Sequence, residues 1–201
     1  MRRLLLRDTP LAGVHIVQRQ AQEDARGAFA RVFCAQELAE AGWNQALAQV
    51  NHSRTTHAGS VRGLHWQRAP HAEMKLVSCL AGAVWDVAVD LRPASPTYGR
   101  WHAQTLSAEN QLAMLIPEGC AHGFQSLSDG AELLYCHSMP FAQDAEAGVH
   151  ALDAQLAIRW PLPVSALSAR DGALPRLAAI GPGPAQPARE PSNRVPQALT
   201  P

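Results

Sequence analysis

Between Trp43 and Ser138 the chain passes again and again from a short run of alternating apolar and polar side chains to a break made of Gly, Pro, Asn or Ser, at nearly even spacing. Alternation with period two is the signature of a pleated strand, whose successive side chains leave opposite faces. A chain that repeats it this often, with little helix between, must close its strands over one another as a sandwich or barrel. The strand candidates are 46–51, 63–67, 75–79, 84–91, 101–106, 111–116, 122–126, 132–138 and 157–160, with one earlier run at 14–17. The breaks fall at 92–99, 107–110, 117–119 and 128–130. Segment 20–27 reads as a polar turn, 35–41 as one short helix stopped by Gly42, and 166–171 as a turn or short helix. The fold class expected is all-β.

The totals narrow the partners. Lys+Arg and Asp+Glu are both 17 in 201 residues, with no basic run, so neither nucleic acid nor an anionic membrane finds a footprint. Cys34, Cys79, Cys120 and Cys136 are scattered without a Cys-x-x-Cys pair, which argues against a zinc ribbon or a disulfide framework and for buried thiols in a reducing compartment. Leu4 to Leu6 is far too short for a signal-peptide core, and no apolar stretch approaches a membrane span. The expectation is a cytoplasmic protein with one folded domain over 1–180 and a Pro- and Ala-rich disordered tail over 181–201.

Chemistry concentrates between Arg62 and Lys75, where two arginines, two histidines, a glutamate and a lysine interrupt the strand pattern. Such groups are costly to hold near a core unless they face a pocket. Strict alternation would put His65 and Gln67 on one face with Gly63, and Leu64 and Trp66 on the other. It would also separate Arg62 from His65, so both reach one pocket only if Gly63 marks a bulge. In 84–91, alternation gives a row of Trp85, Val87, Val89 and Leu91 and a second row of Val84, Asp86, Ala88 and Asp90, which reads as the solvated outer face.

Pro117-Glu-Gly-Cys-Ala-His122 is a turn that delivers a histidine to the next strand. With His65 and Glu73 upstream it has the rough grammar of a cupin, a jelly-roll barrel with a mouth wide enough for a small ligand. The second histidine of the metal-binding cupin motif is here Gln67, a poor transition-metal ligand. No metal ligand is therefore assigned, and a metal-binding cupin stays as an alternative.

A closer resemblance lies in the ordered run Arg26-Gly27-x-Phe29, Gln49-x-Asn51-x-Ser53, Arg62-Gly-Leu-His65, Lys75-Leu-Val, Asp86-Val-Ala-Val-Asp90-Leu-Arg92, Ser95-Pro-Thr-Tyr-Gly99, Ile116-Pro-x-Gly-x-Ala-His-Gly-Phe124 and Trp160-Pro161. Together, over 9–175, these motifs resemble the dTDP-4-dehydrorhamnose 3,5-epimerase family. The resemblance implies a cofactor-free cupin, usually a homodimer, that inverts carbons flanking the C4 ketone of a nucleotide-linked 4-keto-6-deoxy sugar. It implies His65 as the base, Asp171 orienting its imidazole, Lys75 holding the enolate oxygen and Tyr135 as the acid. Asp86 is the rival partner for His65. Arg26 and Arg62 would grip the diphosphate. Phe29, Arg31, Gln49, Asn51, His122, Glu146 and Arg170 would bind sugar, phosphates or base, and Phe141 would stack on thymine.

Residue chemistry agrees on its own terms. Epimerisation beside a ketone needs a base, a fixed cation for the enolate and an acid on the other face, and an imidazole titrates near neutral pH. Arg31 stands where the family commonly has a glutamate, reversing charge at a ligand-contacting position. Ala151 and Leu152 replace its Trp-Asn pair. Open alternatives are inversion at C3 alone, a different nucleotide, or sugar-nucleotide binding without turnover. His15, His52, His57, His71, His102, His137 and His150 read as structural or exposed.

Overall fold

The computed structural model describes residues 2–181. In chain order the strands are β1 (Leu4–Asp8), β2 (His15–Arg19), β3 (Gln22–Asp24), β4 (Gly27–Phe29), β5 (Gln49–Thr55), β6 (Val61–Gln67), β7 (Lys75–Ala81), β8 (Ala83–Asp90), β9 (Trp101–Ser107), β10 (Leu112–Ile116), β11 (Cys120–Ser126), β12 (Ala131–His137) and β13 (Glu146–Gly148). The α-helices are single turns: α1 (Ala35–Leu38), prolonged by a 3-10 turn over Ala39–Ala41, α2 (Ala169–Gly172) and α3 (Leu177–Ile180). Gly42 ends the first of them at φ +92°, a left-handed conformation that glycine adopts without a Cβ penalty.

Six strands form one sheet in the order β1-β2-β10-β7-β12-β5, and five form the other in the order β13-β6-β11-β8-β9. Every pairing within them is antiparallel. The inner faces bury Ile16, Val77, Cys79, Met114 and Leu133 from the first sheet against Val84, Ala88, Leu106 and Phe124 from the second. This is the jelly-roll architecture of a cupin.

Two further apolar layers lie outside the sheets. Leu38 and Trp43 cover Leu4, Val17, Leu76 and Leu115 on the back of the first sheet. Val149, Leu156, Trp160 and Leu177, from the chain after β13, cover Trp85, Val87, Val89 and Trp101 on the back of the second. This second layer corrects the expected outer face of β8. Val84, Asp86, Ala88 and Asp90 face the barrel interior and are fully buried. The tryptophan row needs no lumen because the C-terminal segment shields it from water. Segment 157–160 is part of that cover and not a strand. Trp160 lies edge-on to Trp85 at 5.6 Å and its indole N–H donates to Ala151 O.

The segment 20–27 is likewise more ordered than a turn, since β3 and β4 pair as a two-stranded ribbon with Gln22 opposite Phe29. All six of its strand residues are exposed. β1 and β13 had no counterpart among the strand candidates. The tail assigned to 181–201 lies, beyond Gly181, outside the described residues. Among those described, no helix is long and apolar enough to cross a membrane.

Candidate active site

A cavity of about 820 Å³ opens between the sheets at one end of the barrel. Its walls are β6 and β11 from the second sheet and β5, β7 and β12 from the first, with α2 and the turn before it at the lip. That volume suits a small organic ligand.

β6 reaches the cavity through a bulge. His122 of β11 pairs with His65 and Phe124 pairs with Arg62, so the single residue Gly123 opposes both Gly63 and Leu64. Gly63 takes φ +115°, and a Cβ there would sit 2.6 Å from the Cα of Gly123. Only a glycine fits that approach. The extra residue turns the strand so that Arg62 and His65 both line the cavity while Leu64 stays in the core.

Nε2 of His65 lies 2.8 Å from Oδ1 of Asp171, which rises from the first turn of α2. Ser168 caps that turn by accepting the Asp171 N–H at 3.0 Å, and the Gly63 N–H donates to Asp171 Oδ2 at 3.1 Å. Burial opposes the aspartate's charge, yet the bonds from His65 and Gly63 prevail and hold its pKa below the ordinary value. A charged carboxylate at Nε2 fixes the tautomer with the proton there, which leaves the lone pair on Nδ1. His65 is thus a base held in one orientation.

Lys75 Nζ donates to the backbone oxygen of His65 at 3.2 Å and pairs with Glu73 at 3.0 Å. Glu73 also takes His137 Nδ1 at 2.8 Å. Burial works against the charge of Glu73, but His137 and Lys75 together keep its pKa below the usual carboxylate range. On the opposite sheet from His65, Tyr135 meets Ser53 at 3.1 Å. Burial drives its pKa well above the ordinary phenol value, more than the Ser53 bond lowers it, so it holds its proton. Deeper in, His122 Nε2 lies 2.7 Å from Asp86 Oδ1. Asp86, not a rival for His65, thus has its own histidine, and burial raises its pKa despite that neighbour. A base on one sheet and a protonated hydroxyl on the other can take hydrogen from one face of a ring and return it to the opposite face.

The mouth carries Arg62, Asn51, Phe141, Glu146 and Arg170. Arg62 is steadied by Thr55 Oγ1 and Arg54 O, both at 3.2 Å. Glu146 and Arg170 form an ion pair with each other. Gln49 stands behind this wall, bonded to Asn51 and to the Phe141 N–H. Besides Gln49, three residues expected at the ligand lie outside this cavity. Arg26 pairs with Asp24, and Phe29 is 75% exposed on the ribbon. Arg31, the charge-reversed position, is turned away to an ion pair with Glu37.

Gln67 lines the cavity, but its amide is spent on the loops, donating to His71 O and Pro140 O and accepting from the Ala142 N–H. Among the described residues no group of three or more His, Cys, Asp or Glu side chains is placed to hold a metal ion. His137 and Ser53 line the cavity without having been singled out as site residues. The signal for His137 was its spacing, two residues after Tyr135 on one strand and therefore on the same face.

A sequence profile of the family described as dTDP-4-dehydrorhamnose 3,5-epimerase matches residues 8–179. A dTDP-4-dehydrorhamnose 3,5-epimerase of Shigella flexneri is 42% identical over 164 residues, covering 81% of this chain and 90% of its own. A dTDP-4-dehydrorhamnose 3-epimerase of Streptomyces niveus is 41% identical over 167 residues, 83% of this chain and 80% of its own. A Legionella pneumophila epimerase solved with dTDP-4-keto-L-rhamnose superposes with a TM-score of 0.83 at 40% identity, covering 88% of this chain and 94% of that one.

Proposed function

We propose, for a chain that belongs to the dTDP-4-dehydrorhamnose 3,5-epimerase family, that it inverts C3 and C5 of a dTDP-linked 4-keto-6-deoxyhexose without a cofactor. The observation that carries this is the His65–Asp171 contact of 2.8 Å on one wall, with Tyr135 on the facing sheet and Lys75 on the strand beside it. Nδ1 of His65 removes the hydrogen on the carbon beside the ketone, and Asp171 stabilises the imidazolium that results. The electron pair moves onto the ketone oxygen, where Lys75 offsets the growing negative charge. Tyr135 then gives its proton to the opposite face of the same carbon.

Arg62 and Arg170, at the mouth, suit the diphosphate, because a guanidinium fork matches two phosphate oxygens. Asn51, His122 and Glu146 bind the sugar and phosphates, Gln49 supports Asn51, and Phe141 offers the base a flat apolar face. Arg26, Phe29 and Arg31 lie away from the cavity of their own chain; a substrate role for them calls for a second copy, which agrees with a homodimer. Four free cysteines agree with a reducing, cytoplasmic setting. A narrower reading, inversion at C3 alone, rests on the 41% identity to a 3-epimerase, which nearly equals the 42% identity to a 3,5-epimerase.

Incubation of the keto sugar nucleotide with the protein in heavy water separates these readings. Deuterium at both C3 and C5 is expected, label at C3 alone selects the narrower reading, and label at neither carbon overturns both.

A further inference from the structure

A continuous chain of hydrogen bonds runs from the mouth of the cavity to Lys75 and passes through His137, which takes no part in the reaction itself. The Phe141 N–H donates to Gln49 Oε1 at 2.9 Å, Gln49 Nε2 donates to Asn51 Oδ1 at 3.0 Å, and Asn51 Nδ2 lies 3.4 Å from His137 Nε2. Across the ring, His137 Nδ1 lies 2.8 Å from Glu73 Oε2. Glu73 Oε1 takes Lys75 Nζ at 3.0 Å, and Lys75 reaches the His65 carbonyl at 3.2 Å.

The directions of these bonds admit one assignment. An amide nitrogen only donates, so Nε2 of His137 accepts; a carboxylate only accepts, so Nδ1 carries the proton. His137 is therefore a neutral imidazole whose tautomer is set by partners on both sides. Its side chain is 11% exposed, Glu73 7% and Lys75 10%, which keeps bulk water from competing for the bonds that join these three side chains.

We infer that His137 is a positioning residue that joins the mouth of the cavity at Phe141 to the cation at Lys75, and that it does so only while neutral. The inference deepens the epimerase reading and rests on it. A proton on Nε2 turns the acceptor into a donor facing another donor, so the link to Asn51, Gln49 and Phe141 breaks. The bond from Nδ1 to Glu73 persists. The groups facing the ring are Glu73 and Lys75 from the side of β7, Asn51 from β5, and Tyr135 on its own strand, stacked at 6.2 Å. A proton on Nε2 therefore loosens the seat of the nucleotide, and the change appears in KM more than in kcat.

The test measures kcat and KM against pH for the full-length protein and for His137→Asn, Asn51→Ala and the double variant. Asparagine at 137 retains a donor for Glu73 but loses the acceptor for Asn51 and the titration. In the unaltered protein KM is expected to rise on the acid side. Each single variant should raise KM about tenfold near neutral pH, the worth of one hydrogen bond, and flatten the acid rise. The double variant should be no worse than the poorer single, because both cut the same chain.

Effects that multiply in the double variant, or an acid rise in His137→Asn equal to that of the unaltered protein, overturn the inference. Should His137→Asn fail to fold, Asn51→Ala, altered at an exposed position on β5, decides alone by the same flattening. Deuterium wash-in on the unaltered protein keeps the two readings apart: absence of label removes the epimerase reading, whereas label together with multiplying effects removes only the role of His137.

Discussion

Two histidines on neighbouring strands of one sheet are each paired with an aspartate, and the two pairs differ in almost everything except their contact distance. In His65–Asp171 the nitrogen and oxygen are 2.8 Å apart and in His122–Asp86 2.7 Å. The ring of His65 is 28% exposed to the cavity and its carboxylate comes from a capped turn at the lip. The ring of His122 is 7% exposed and Asp86 has no exposed surface; its Oδ2 lacks any hydrogen-bond partner. Both aspartates meet a histidine, yet the pKa of Asp171 falls and that of Asp86 rises. Hydrogen bonds to a carboxylate stabilise its charge only to the extent that they replace the water lost on burial. Asp171 receives a backbone N–H in addition to its histidine, and Asp86 receives the histidine alone. The first pair is built to support a charged imidazole at the cavity, and the second holds its histidine fixed in the cavity wall.

The largest effect that can break this comparison is on rate. His65→Asn should lower epimerisation by about 10³-fold, the scale of a lost general base, with the fold retained. His122→Asn should cost about tenfold, the scale of one lost hydrogen bond to the sugar. Turnover and deuterium wash-in of both variants, with circular dichroism as the check on folding, decide it; equal losses would erase the distinction.

A middle effect concerns stability against pH. Asp171, with a lowered pKa, contributes stability that is present above the ordinary carboxylate value of 3.8 and is lost as pH falls through the folded-state value. Asp86, with a raised pKa, contributes stability that is present below 3.8 and is lost as pH rises. In thermal unfolding from about pH 3 to 7, Asp171→Asn should therefore lose ground against the parent as pH rises, and Asp86→Asn should gain it. Parallel curves would show that the two environments do not differ as described.

The smallest effect lies outside both pairs. Arg31→Glu should change stability by about 1 kcal/mol, since the arginine end of its ion pair with Glu37 is exposed to water. The kcat should stay within about twofold, as the side chain touches neither pair. A large loss of turnover in steady-state kinetics would place position 31 at the chemistry.

Alternation alone made much of the barrel legible. The runs 75–79, 101–106 and 111–116 match β7, β9 and β10 to within two residues, because a strand in an antiparallel sheet must repeat at period two. The same rule misread β8. Alternation identifies two faces and not which is inside, and the decision belonged to Trp160, Leu156 and Val149, more than 50 residues further along the chain. β1 and β13 were missed because both lie outside the regular succession of alternating runs. The glycine at 63 was readable as a bulge, since two side chains needed at one pocket fell on opposite faces of an ideal strand.

The sequence by itself determined that this chain is a β-barrel of a sugar-nucleotide epimerase family, because strand period and ordered motifs are local properties that survive without coordinates. Tertiary structure alone decided which aspartate serves which histidine, that His137 and Glu73 join the cavity, and that Arg31 turns away from it. Each of these depends on burial and on partners distant in sequence, and a charge or a hydrogen bond has no fixed worth until the groups that replace its water are in place.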